Sequence, residues 1–293
     1  MKLTADYIKS IFPKRSIDSH KGDYGHTLII AGSKQFTGAA VLCSMGCLRA
    51  GSGLTSLAIS ESLYIPITKR LLPEIITITL PDKNYSISEK ATKILLDYII
   101  ERKISSIAFG CGISREPHTK IFTERFLIKN KIPIVIDADG LNNIQKNVKI
   151  LKNMKAKKII TPHPAELSRL TKISITDIQK NREKIALKFA KDYKLICVLK
   201  GYETVISDGE KIYLNTTGNP GMAVAGSGDV LTGMIAGLIG QTENLLDAAC
   251  LGVYLHGLAG DLAAKEKTEI SMLPTDLIEK IPDAIKNNGD GSI

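Results

Sequence analysis

The sequence predicts a three-layer α/β fold, in which helices cover both faces of a mostly parallel sheet. With 293 residues, 44% of them hydrophobic, the chain can bury a large core. Short runs rich in β-branched residues lack polar–apolar alternation, as expected of strands buried on both faces. These runs alternate with segments of helical periodicity, which is the pattern of β-α-β units with parallel strands.

Each predicted element follows from that alternation. The strands are expected at 27–31 (TLIIA), 106–110 (SIAFG), 132–138 (IPIVIDA), 158–161 (KIIT) and 195–200 (LICVLK). The helices are expected at 38–51, 88–102, 116–130, 174–191, 228–241 and 245–265. No linker, low-complexity tract or internal repeat divides the chain, so we expect one domain over 1–286 and a disordered tail, 287–293.

Several classes of protein are disfavoured by composition. No apolar run approaches the roughly 20 residues that cross a bilayer. The first 15 residues are too charged for a secretory signal, so we expect a cytoplasmic protein with no membrane partner. The five cysteines form no CxxC pair and do not cluster with histidines, so we expect reduced packing residues.

The net charge of +9 favours anionic ligands. The densest basic stretch, 146–158 (KNVKILKNMKAKK), is predicted to be an amphipathic helix with a solvated lysine face. No aromatic residues alternate with these lysines, as a platform for single-stranded nucleic acid would need. We therefore expect no nucleic-acid partner.

The loops after the predicted strands are the expected place for chemistry, because ligands of open parallel sheets bind outside the carboxyl ends of the strands. Small or polar residues follow four strands: Gly32-Ser33, Gly110-Cys111-Gly112, Asp137-Ala138-Asp139 and Thr161-Pro162-His163-Pro164. Asp137 and Asp139 are equally well explained as turn residues that accept from local backbone donors.

The strongest local signal is the glycine-rich stretch 215–239, which contains Gly226-Ser227-Gly228-Asp229 just before an apolar helix. The N–H groups of Gly226, Ser227 and Gly228 are suited to an anion at that helix N-terminus. Asp229 would then accept a proton from a hydroxyl that attacks a phosphoryl group. The alternative is an ordinary helix start, with Ser227 as the N-cap.

Two further segments are weaker candidates. Lys200-Gly201-Tyr202-Glu203-Thr204 follows a buried strand and is placed to hold a nucleotide, although a lysine at a strand end is usually just exposed. His163 lies between two prolines and Glu166 opens the next helix, a pair suited to a ligand or a metal-bound water, or simply to a helix start. No GxxxxGK[ST] motif is present, which disfavours the P-loop NTPases.

Taken together, these segments resemble the ribokinase-like NAD(P)H-hydrate dehydratases, which repair hydrated nicotinamide cofactors. The resemblance spans nearly the whole chain. Its motifs, in order, are Lys21-Gly22-Asp23-Tyr24-Gly25-His26, Ala31-Gly32-Ser33, Gly38-Ala39-Ala40, Leu48-Arg49-Ala50-Gly51-Ser52-Gly53-Leu54, Gly110-Cys111-Gly112, Asp137-Ala138-Asp139, Thr161-Pro162-His163, Lys200-Gly201, Thr217-Gly218-Asn219-Pro220-Gly221-Met222-Ala223, Gly226-Ser227-Gly228-Asp229 and Tyr254-Leu255-His256-Gly257.

The resemblance implies a reaction and a set of partners. The reaction is ADP-dependent dehydration of the S epimer of 6-hydroxy-tetrahydronicotinamide NADH or NADPH. The 6-hydroxyl is phosphorylated and phosphate is then eliminated, with AMP and phosphate as products. Mg²⁺ is expected as a cofactor, a separate epimerase as a functional partner, and a homo-oligomer as the assembly.

The same resemblance implies roles for individual residues. Ala39, Gly112, His163 and Asp229 would line the hydrated dinucleotide. Lys200, Gly201, Tyr202, Glu203, Thr204 and Gly228 would hold the adenine nucleotide, with Asn219 and Glu166 in support. The chain departs from the family at Cys111, where proline is usual, and at Ala225-Gly226-Ser227, where Gly-Gly-Thr is commoner. These departures should affect side-chain contacts more than backbone contacts.

Two other functions are compatible with these residues. A ribokinase-like kinase of a vitamin-precursor alcohol would use the same Asp229 but release a stable phosphate ester. The glycine-rich surface from Ala31 to Gly53 favours a bulky dinucleotide over a small alcohol, because bare backbone permits close approach. A nucleotide- or nucleic-acid-binding module is favoured only by the basic composition.

Overall fold

Nine strands form the central sheet in the computed structural model, which describes residues 1–288. The strands are β1 (His26–Ile30), β2 (Leu54–Ser60), β3 (Ile76–Leu80), β4 (Asp82–Lys83), β5 (Ser86–Ile87), β6 (Ser106–Phe109), β7 (Ile134–Ile136), β8 (Lys158–Ile160), β9 (Ile196–Leu199), β10 (Val205–Ser207) and β11 (Ile212–Leu214). The sheet order is β11-β10-β9-β8-β7-β6-β1-β2-β3, and β4 and β5 form a separate hairpin. Only β10 runs antiparallel to its neighbours, so the prediction of a mostly parallel sheet is confirmed.

Helices cover both faces of this sheet. They are α1 (Ala5–Ser10), α2 (Thr37–Arg49), α3 (Tyr64–Thr68), α4 (Ala91–Glu101), α5 (Pro117–Lys129), α6 (Asp139–Ile144), α7 (Ile150–Asn153), α8 (Pro164–Thr171), α9 (Ile175–Lys180), α10 (Arg182–Tyr193), α11 (Ser227–Ile239), α12 (Leu245–Lys267) and α13 (Pro274–Asn288).

The strands are apolar throughout because both faces of the sheet are packed. In β1, Ile29 belongs to the core shared with α2, α11 and α12, whereas Leu28 and Ile30 belong to the core shared with α4, α5 and α10. Successive side chains point to opposite faces of a strand, so neither face can accept a polar residue without cost. These two apolar layers produce the predicted three-layer α/β/α fold.

The direction of winding reverses between β1 and β6, which are hydrogen-bonded neighbours although the chain forms β2 and β3 between them. The loops after these two strands are tied together, because Gly32 N–H donates to the Cys111 carbonyl at 2.9 Å. Such a reversal leaves a crevice at the carboxyl ends of the strands, where ligands of open α/β sheets bind.

Helix α11 packs closely on α2. A Cβ atom on Gly233 would collide with the Cys43 carbonyl, and one on Gly46 would lie 2.6 Å from the Val230 carbonyl. Glycine is therefore required on both helices for this approach. The contact fixes where the N-terminus of α11 emerges at the crevice.

Among the helices described, α12 is the one that is long and apolar enough to cross a membrane by length and composition. Because 67% of its apolar window is buried inside the fold, we interpret it as a core helix.

Three expectations differ from the structure. The predicted helix 174–191 breaks at Asn181, whose side chain donates to the Asp177 carbonyl at 3.1 Å and so competes with the helix. The basic stretch 146–158 is not an amphipathic helix, because only α7 is helical there and Lys158 begins β8 between two other strands. Residues 287 and 288 belong to the last turn of α13, and the rest of the predicted tail lies outside the described residues.

Candidate active site

The carboxyl ends of β7, β8 and β9 meet the N-terminus of α11. Asp137, Thr161 and Lys200 each follow one of these strands, and Asp229 lies in the first turn of α11. The chain turns sharply after Asp137, because Ala138 adopts φ 48° and ψ −119°, a left-handed conformation that strains an alanine. That turn separates Asp137 from Asp139 and directs them to different partners.

Asp137 and Lys200 form the centre of the site. The Lys200 ammonium lies 2.7 Å from one Asp137 oxygen, and the Thr232 hydroxyl donates to the other at 2.9 Å. Only 1% of Asp137 is exposed, so its charge is paired and hydrogen-bonded rather than solvated. Burial favours the neutral amine of Lys200, but the carboxylates of Asp137 and Glu166 outweigh it and hold the lysine pKa above its usual value.

Asp139 has a local role, as the turn interpretation expected. It accepts from the Ser114 N–H at 3.1 Å and pairs with Arg115 at 3.3 Å. Its carboxylate therefore fixes the loop after β6, whereas the Asp137 carboxylate is bound to groups from β9 and α11. The interpretation as a turn residue therefore holds for Asp139, whereas Asp137 belongs to the cluster around Lys200.

Glu166 lies beside this ion pair, with one oxygen 4.0 Å from the Lys200 ammonium. The same oxygen accepts the His163 N–H at 2.8 Å. Burial raises the pKa of Glu166 well above its usual range, because Lys200 only partly offsets the loss of solvation. The carboxyl can therefore hold or release a proton near neutral pH.

His163 is the N-cap of α8. Its Nδ1 accepts from the N–H groups of Ala165 and Glu166 at 3.2 and 3.4 Å, which places the proton of the neutral ring on Nε2. Burial and the positive charge of Lys200 lower the pKa of His163, so the ring is neutral at pH 7. The imidazole is half-exposed, and its remaining N–H is 3.4 Å from Glu166. The helix-start interpretation is thus correct for Nδ1, and Nε2 remains for a ligand.

The N-terminus of α11 presents free backbone donors. Gly226 is the N-cap, with φ 100°, and no side chain caps this helix, so the alternative of Ser227 as N-cap is wrong. Within residues 1–288, the N–H groups of Gly226, Gly228 and Asp229 have no acceptor. Unpaired N–H groups at a helix N-terminus attract anions.

Two glycine positions shape this turn. A Cβ atom on Gly226 would lie 2.5 Å from the Leu42 methyl, in a backbone conformation that L-residues rarely adopt. A Cβ atom on Gly228 would lie 3.2 Å from the Lys200 ammonium and 3.6 Å from an Asp137 oxygen. The missing side chains therefore bring the helix start directly against the ion pair.

Behind the turn, His256 from α12 holds Ser227. Its Nε2 donates to the Ser227 carbonyl at 2.9 Å. Burial lowers the pKa of His256 to about 4, so the ring stays neutral and this bond persists at neutral pH. The histidine thus fixes the first turn of α11 without adding charge to it.

Asp229 has an unusual acidity. Burial and the negative charge of Asp137 raise its pKa to about 6, although a hydrogen bond from Cys111 and the charge of Lys200 act in the opposite direction. The carboxylate is mostly ionised at pH 7 and is a stronger base than an ordinary aspartate. Such a group is suited to accept a proton from a hydroxyl close to the anion-binding turn.

The structure also places the remaining predicted residues. Gly112, in the loop after β6, lies against Ala39 of α2, since its missing Cβ would be 3.0 Å from the Ala39 Cβ. Tyr202, by contrast, is 91% exposed on the loop after β9. Asn219 caps the turn at 220–222 and donates to Asp261, which is a structural role.

The loop that holds Tyr202 is formed by Gly201, Glu203 and Thr204. The Thr204 hydroxyl donates to the Gly201 carbonyl at 3.0 Å, and Glu203 pairs with Lys2 at 3.9 Å. The side chains of Glu203 and Thr204 therefore make contacts of their own rather than contacts with Lys200. The end of β9, from which this loop starts, is held by Arg182, which donates to the Leu199 carbonyl at 2.9 Å.

Sequence reasoning left two members of the cluster out of the candidate site. Asp137 was recognised after its strand but was not distinguished from Asp139, because spacing alone does not reveal which carboxylate is turned inward. Thr232 went unnoticed, although it lies three residues after Asp229 and so on the same face of α11. That spacing was the available signal.

The described residues contain no group of three or more His, Cys, Asp or Glu side chains suited to hold a metal. Glu166 and Asp137 still offer the oxygen ligands that Mg²⁺ prefers, although Lys200 occupies the space next to both. The donor set therefore fits an ion that is bound largely by phosphate oxygens and water.

Comparison with known proteins identifies one family for this chain. Residues 27–283 match the family model for NAD(P)H-hydrate dehydratase. The chain is 40% identical to the bifunctional NAD(P)H-hydrate repair enzyme of Moorella thermoacetica, over 97% of this chain and 54% of that protein. It is 32% identical to the ADP-dependent (S)-NAD(P)H-hydrate dehydratase of Bacillus subtilis, over 95% of each chain.

A solved structure agrees with these similarities. The ADP/ATP-dependent NAD(P)H-hydrate dehydratase of Bacillus subtilis, co-crystallised with ATP and Mg²⁺, superposes with a TM-score of 0.83 at 30% identity. The superposition covers 97% of both chains. The predicted ribokinase-like fold and the predicted family are therefore confirmed.

Proposed function

Because the chain belongs to the NAD(P)H-hydrate dehydratase family, we propose that it dehydrates the S epimer of hydrated NADH or NADPH, with ADP as phosphoryl donor. Relatives that carry this activity in their names support the proposal. The chain spans about half the length of the bifunctional relatives, at 54% of the Moorella protein. Because those relatives are longer than this chain, the activity of the whole protein is a proposal.

One observation carries the proposal most strongly. A partly buried carboxylate with a pKa of about 6, Asp229, lies in the same turn as the free N–H groups of Gly226 and Gly228. A base and an anion site in a single turn are what phosphorylation of a hydroxyl requires. An ordinary helix start accounts for the free N–H groups but not for the raised pKa of Asp229, which is caused by burial and by the nearby Asp137.

The first step is transfer of the terminal phosphoryl group. Asp229 accepts the proton of the 6-hydroxyl while that oxygen attacks the β-phosphorus of ADP, and AMP leaves. The negative charge of the transferring phosphoryl group is stabilised by the N–H groups of Gly226 and Gly228 and by the ammonium of Lys200. Mg²⁺, held by phosphate oxygens with Glu166 and Asp137 nearby, would neutralise further phosphate charge when bound.

The second step is elimination. The lone pair of the ring nitrogen expels phosphate from carbon 6, and loss of a proton from carbon 5 restores the dihydropyridine ring. Phosphorylation thus turns hydroxide, a poor leaving group, into phosphate. The chain contributes mainly by holding the two substrates in line and by stabilising charge.

The substrate side is proposed at the crevice between β1 and β6. Gly112 lets the chain pack closely there, since its Cβ would lie 2.5 Å from the Phe36 Cβ and 3.0 Å from the Ala39 Cβ, and we propose that the backbone at Ala39 and Gly112 contacts the dinucleotide. His163 would donate from Nε2, since its Nδ1 is already an acceptor for two backbone N–H groups. Lys200 lies next to Gly228 at the α11 turn, where it can contact the nucleotide phosphates.

We also propose the remaining features implied by the family. Residues 1–286 would act as one domain, which the parallel bridge between Lys2 and Leu214 supports by joining the start of the chain to the sheet edge. A homo-oligomer and the cytoplasm are the proposed assembly and location. A linked epimerase is the proposed partner, since the bifunctional relatives are named as repair enzymes with two activities.

The proposal is tested by supplying hydrated NADH with either ADP or ATP and following recovery of dihydronicotinamide absorbance. We expect faster turnover with ADP, with one AMP and one phosphate formed per NADH recovered. Faster turnover with ATP at matched concentrations would contradict the donor assignment. A stable phosphate ester without recovered NADH would instead support the vitamin-precursor kinase.

A further inference from the structure

A basic groove lies at the amino ends of the sheet strands, whereas the candidate active site lies at their carboxyl ends. Two adjoining cavities of about 440 and 650 Å³ open where β6, β7, β8 and β9 begin, and both are bounded by Lys157, Asn244 and Leu245. Six lysines line them: Lys131, Lys155, Lys157, Lys158, Lys191 and Lys194. We call this surface the lysine groove. It is separated from the site around Asp137 by the length of the strands.

Lys158 is the most informative member of the groove. It is the first residue of β8, where it pairs with Ile134 of β7, and only 6% of it is exposed. Its ammonium has no hydrogen-bond acceptor and no ion-pair partner among residues 1–288. The stem of this lysine is packed inside the fold, whereas its ammonium reaches the solvent of the cavity and is partly desolvated there. Burial accordingly lowers the lysine pKa.

A second donor set faces the same cavities. Helix α12, which is 23 residues long, begins at Leu245 with Asn244 as its N-cap. The Asn244 side chain accepts from the Asp247 N–H at 2.9 Å, which leaves the N–H groups of Leu245 and Leu246 without an acceptor in the described chain. These N–H groups carry the positive end of the helix dipole into the groove.

The acidic residues of the groove do not neutralise it. Asp208 accepts from the N–H groups of Glu210 and Lys211 at 2.9 and 2.7 Å, so its carboxylate closes its own turn. Glu210 and Glu243 are exposed and make no ion pair within the described part of the chain. The buried lysine and the helix start are therefore left to bind an anion that enters from solvent.

We propose that the lysine groove binds a small phosphate-bearing anion, whose phosphate group contacts the Lys158 ammonium and the N–H groups of Leu245 and Leu246. This inference does not depend on the proposed enzymatic function. A small ligand fits better than a nucleic acid, because no aromatic side chain lines either cavity and three carboxylates border them. The shared chemistry belongs both to free phosphate and to the phosphate of a nucleotide.

The experiment is a titration of the full-length, ¹⁵N-labelled protein with inorganic phosphate at constant ionic strength, read from the amide signals of Leu245 and Leu246. Lys158→Met keeps the length and shape of the side chain but removes its charge. Lys149→Met is the matched control, because Lys149 is exposed and lies outside the groove. Both variants lose one positive charge.

We expect phosphate to shift both amides in the wild-type protein and in the control. Lys158→Met should weaken that binding about tenfold, the order expected for a hydrogen bond to a charged group. Its melting temperature should stay the same or rise slightly, since a partly desolvated charge is gone. Unchanged affinity in Lys158→Met, or no shift of the two amides, would overturn the proposal.

A second arm identifies the source of the phosphate. ADP that shifts these amides at lower concentration than phosphate would assign the groove to a nucleotide, and the reverse order would assign it to phosphate itself. Either result supports a phosphate-bearing ligand. Shifts produced by a single-stranded oligonucleotide but by neither small ligand would contradict it and indicate a nucleic-acid surface.

Discussion

At Lys200, one ammonium and two carboxylates share a space from which water is largely excluded. The distances to Asp137 and Glu166, 2.7 and 4.0 Å, show that Asp137 is the direct partner and Glu166 the more distant one. Burial and the negative charge of Asp137 raise the pKa of Glu166, and the more distant Lys200 only partly offsets them. A phosphate entering this space would meet a lysine already held in place.

Individual residue types were predictable in this region, but their partners were not. The sequence indicated Asp229, His163 and Lys200 because each lies at a strand end or helix start. The sequence did not indicate that Lys200 is directed inward to Asp137. It also did not indicate that Tyr202, two residues later, is solvent-exposed. Side-chain direction at a loop depends on tertiary contacts, which spacing does not encode.

Substitution of His163 tests the two subsites. We predict that His163→Ala weakens binding of the hydrated dinucleotide more than binding of ADP, since His163 lies on the loop after β8 and the donor phosphates lie at α11. Loss of the N-cap should also cost about 1 kcal/mol of stability. Calorimetry with each ligand measures the affinities.

His163→Asn is the matched control. Its amide oxygen can still cap α8, so stability should be kept while the dinucleotide affinity still falls. Equal losses for both ligands in His163→Ala would mean that the two subsites are not separate.

At the scale of elements, the start of α11 brings the most chemistry together. The sequence predicted this helix at 228–241, close to the observed Ser227–Ile239, because glycines precede a long apolar run. The prediction of a basic helix at 146–158, by contrast, was wrong because it considered only the local periodicity. Its periodicity was that of a helix, but β8 needs Lys158 to Ile160 as a central strand, and pairing with β7 and β9 prevailed.

The close approach of α11 to Lys200 is tested by Gly228→Ala. The added Cβ would lie 3.2 Å from the ammonium, which must then shift while Asp137 holds it. We predict roughly tenfold weaker ADP binding with folding stability unchanged or slightly higher, since alanine favours a helix. Equilibrium binding and thermal unfolding measure the two effects.

Gly226→Ala provides the contrast, because Gly226 has φ 100° and its Cβ would meet Leu42 at 2.5 Å. That variant should lose more than about 1 kcal/mol of stability. If Gly228→Ala bound ADP as tightly as the wild-type protein, the contact between the α11 turn and the nucleotide site would be disproved.

At the scale of the whole molecule, the reversal of winding between β1 and β6 sets where the crevice forms. The alternation of strands and helices predicted the parallel sheet and its carboxyl edge. The order of the strands in the sheet could not be predicted, because the positions of β2, β3 and the β9–β10–β11 edge depend on which apolar faces pack together. The site is therefore assembled from segments as distant as Ala39 and Asp229, which only the fold brings close.

The partly buried carboxylate at Asp229 should also affect global stability. Its pKa of about 6 in the folded protein exceeds the ordinary 3.8, so the stability that its neutral form contributes is complete below about pH 4 and is lost as pH rises through 6. The difference corresponds to at most about 3 kcal/mol. Asp229→Asn does not titrate.

We therefore predict that Asp229→Asn melts a few degrees higher than the wild-type protein at about pH 8, and that this advantage disappears at about pH 4. Thermal unfolding of both proteins at the two pH values measures it. A variant that is less stable at both pH values would show that the carboxylate instead stabilises the helix through its dipole.

The most direct measurement is the single-turnover rate of hydrated NADH recovery by Asp229→Asn, with ADP in excess and folding confirmed on the same preparation. The amide keeps the shape of the side chain and the N–H groups around it but cannot accept a proton. If Asp229 is the base, the rate should fall by about 10²- to 10⁴-fold, while ADP binding is retained or slightly tighter. A folded variant that restores NADH at the wild-type rate would contradict the assignment.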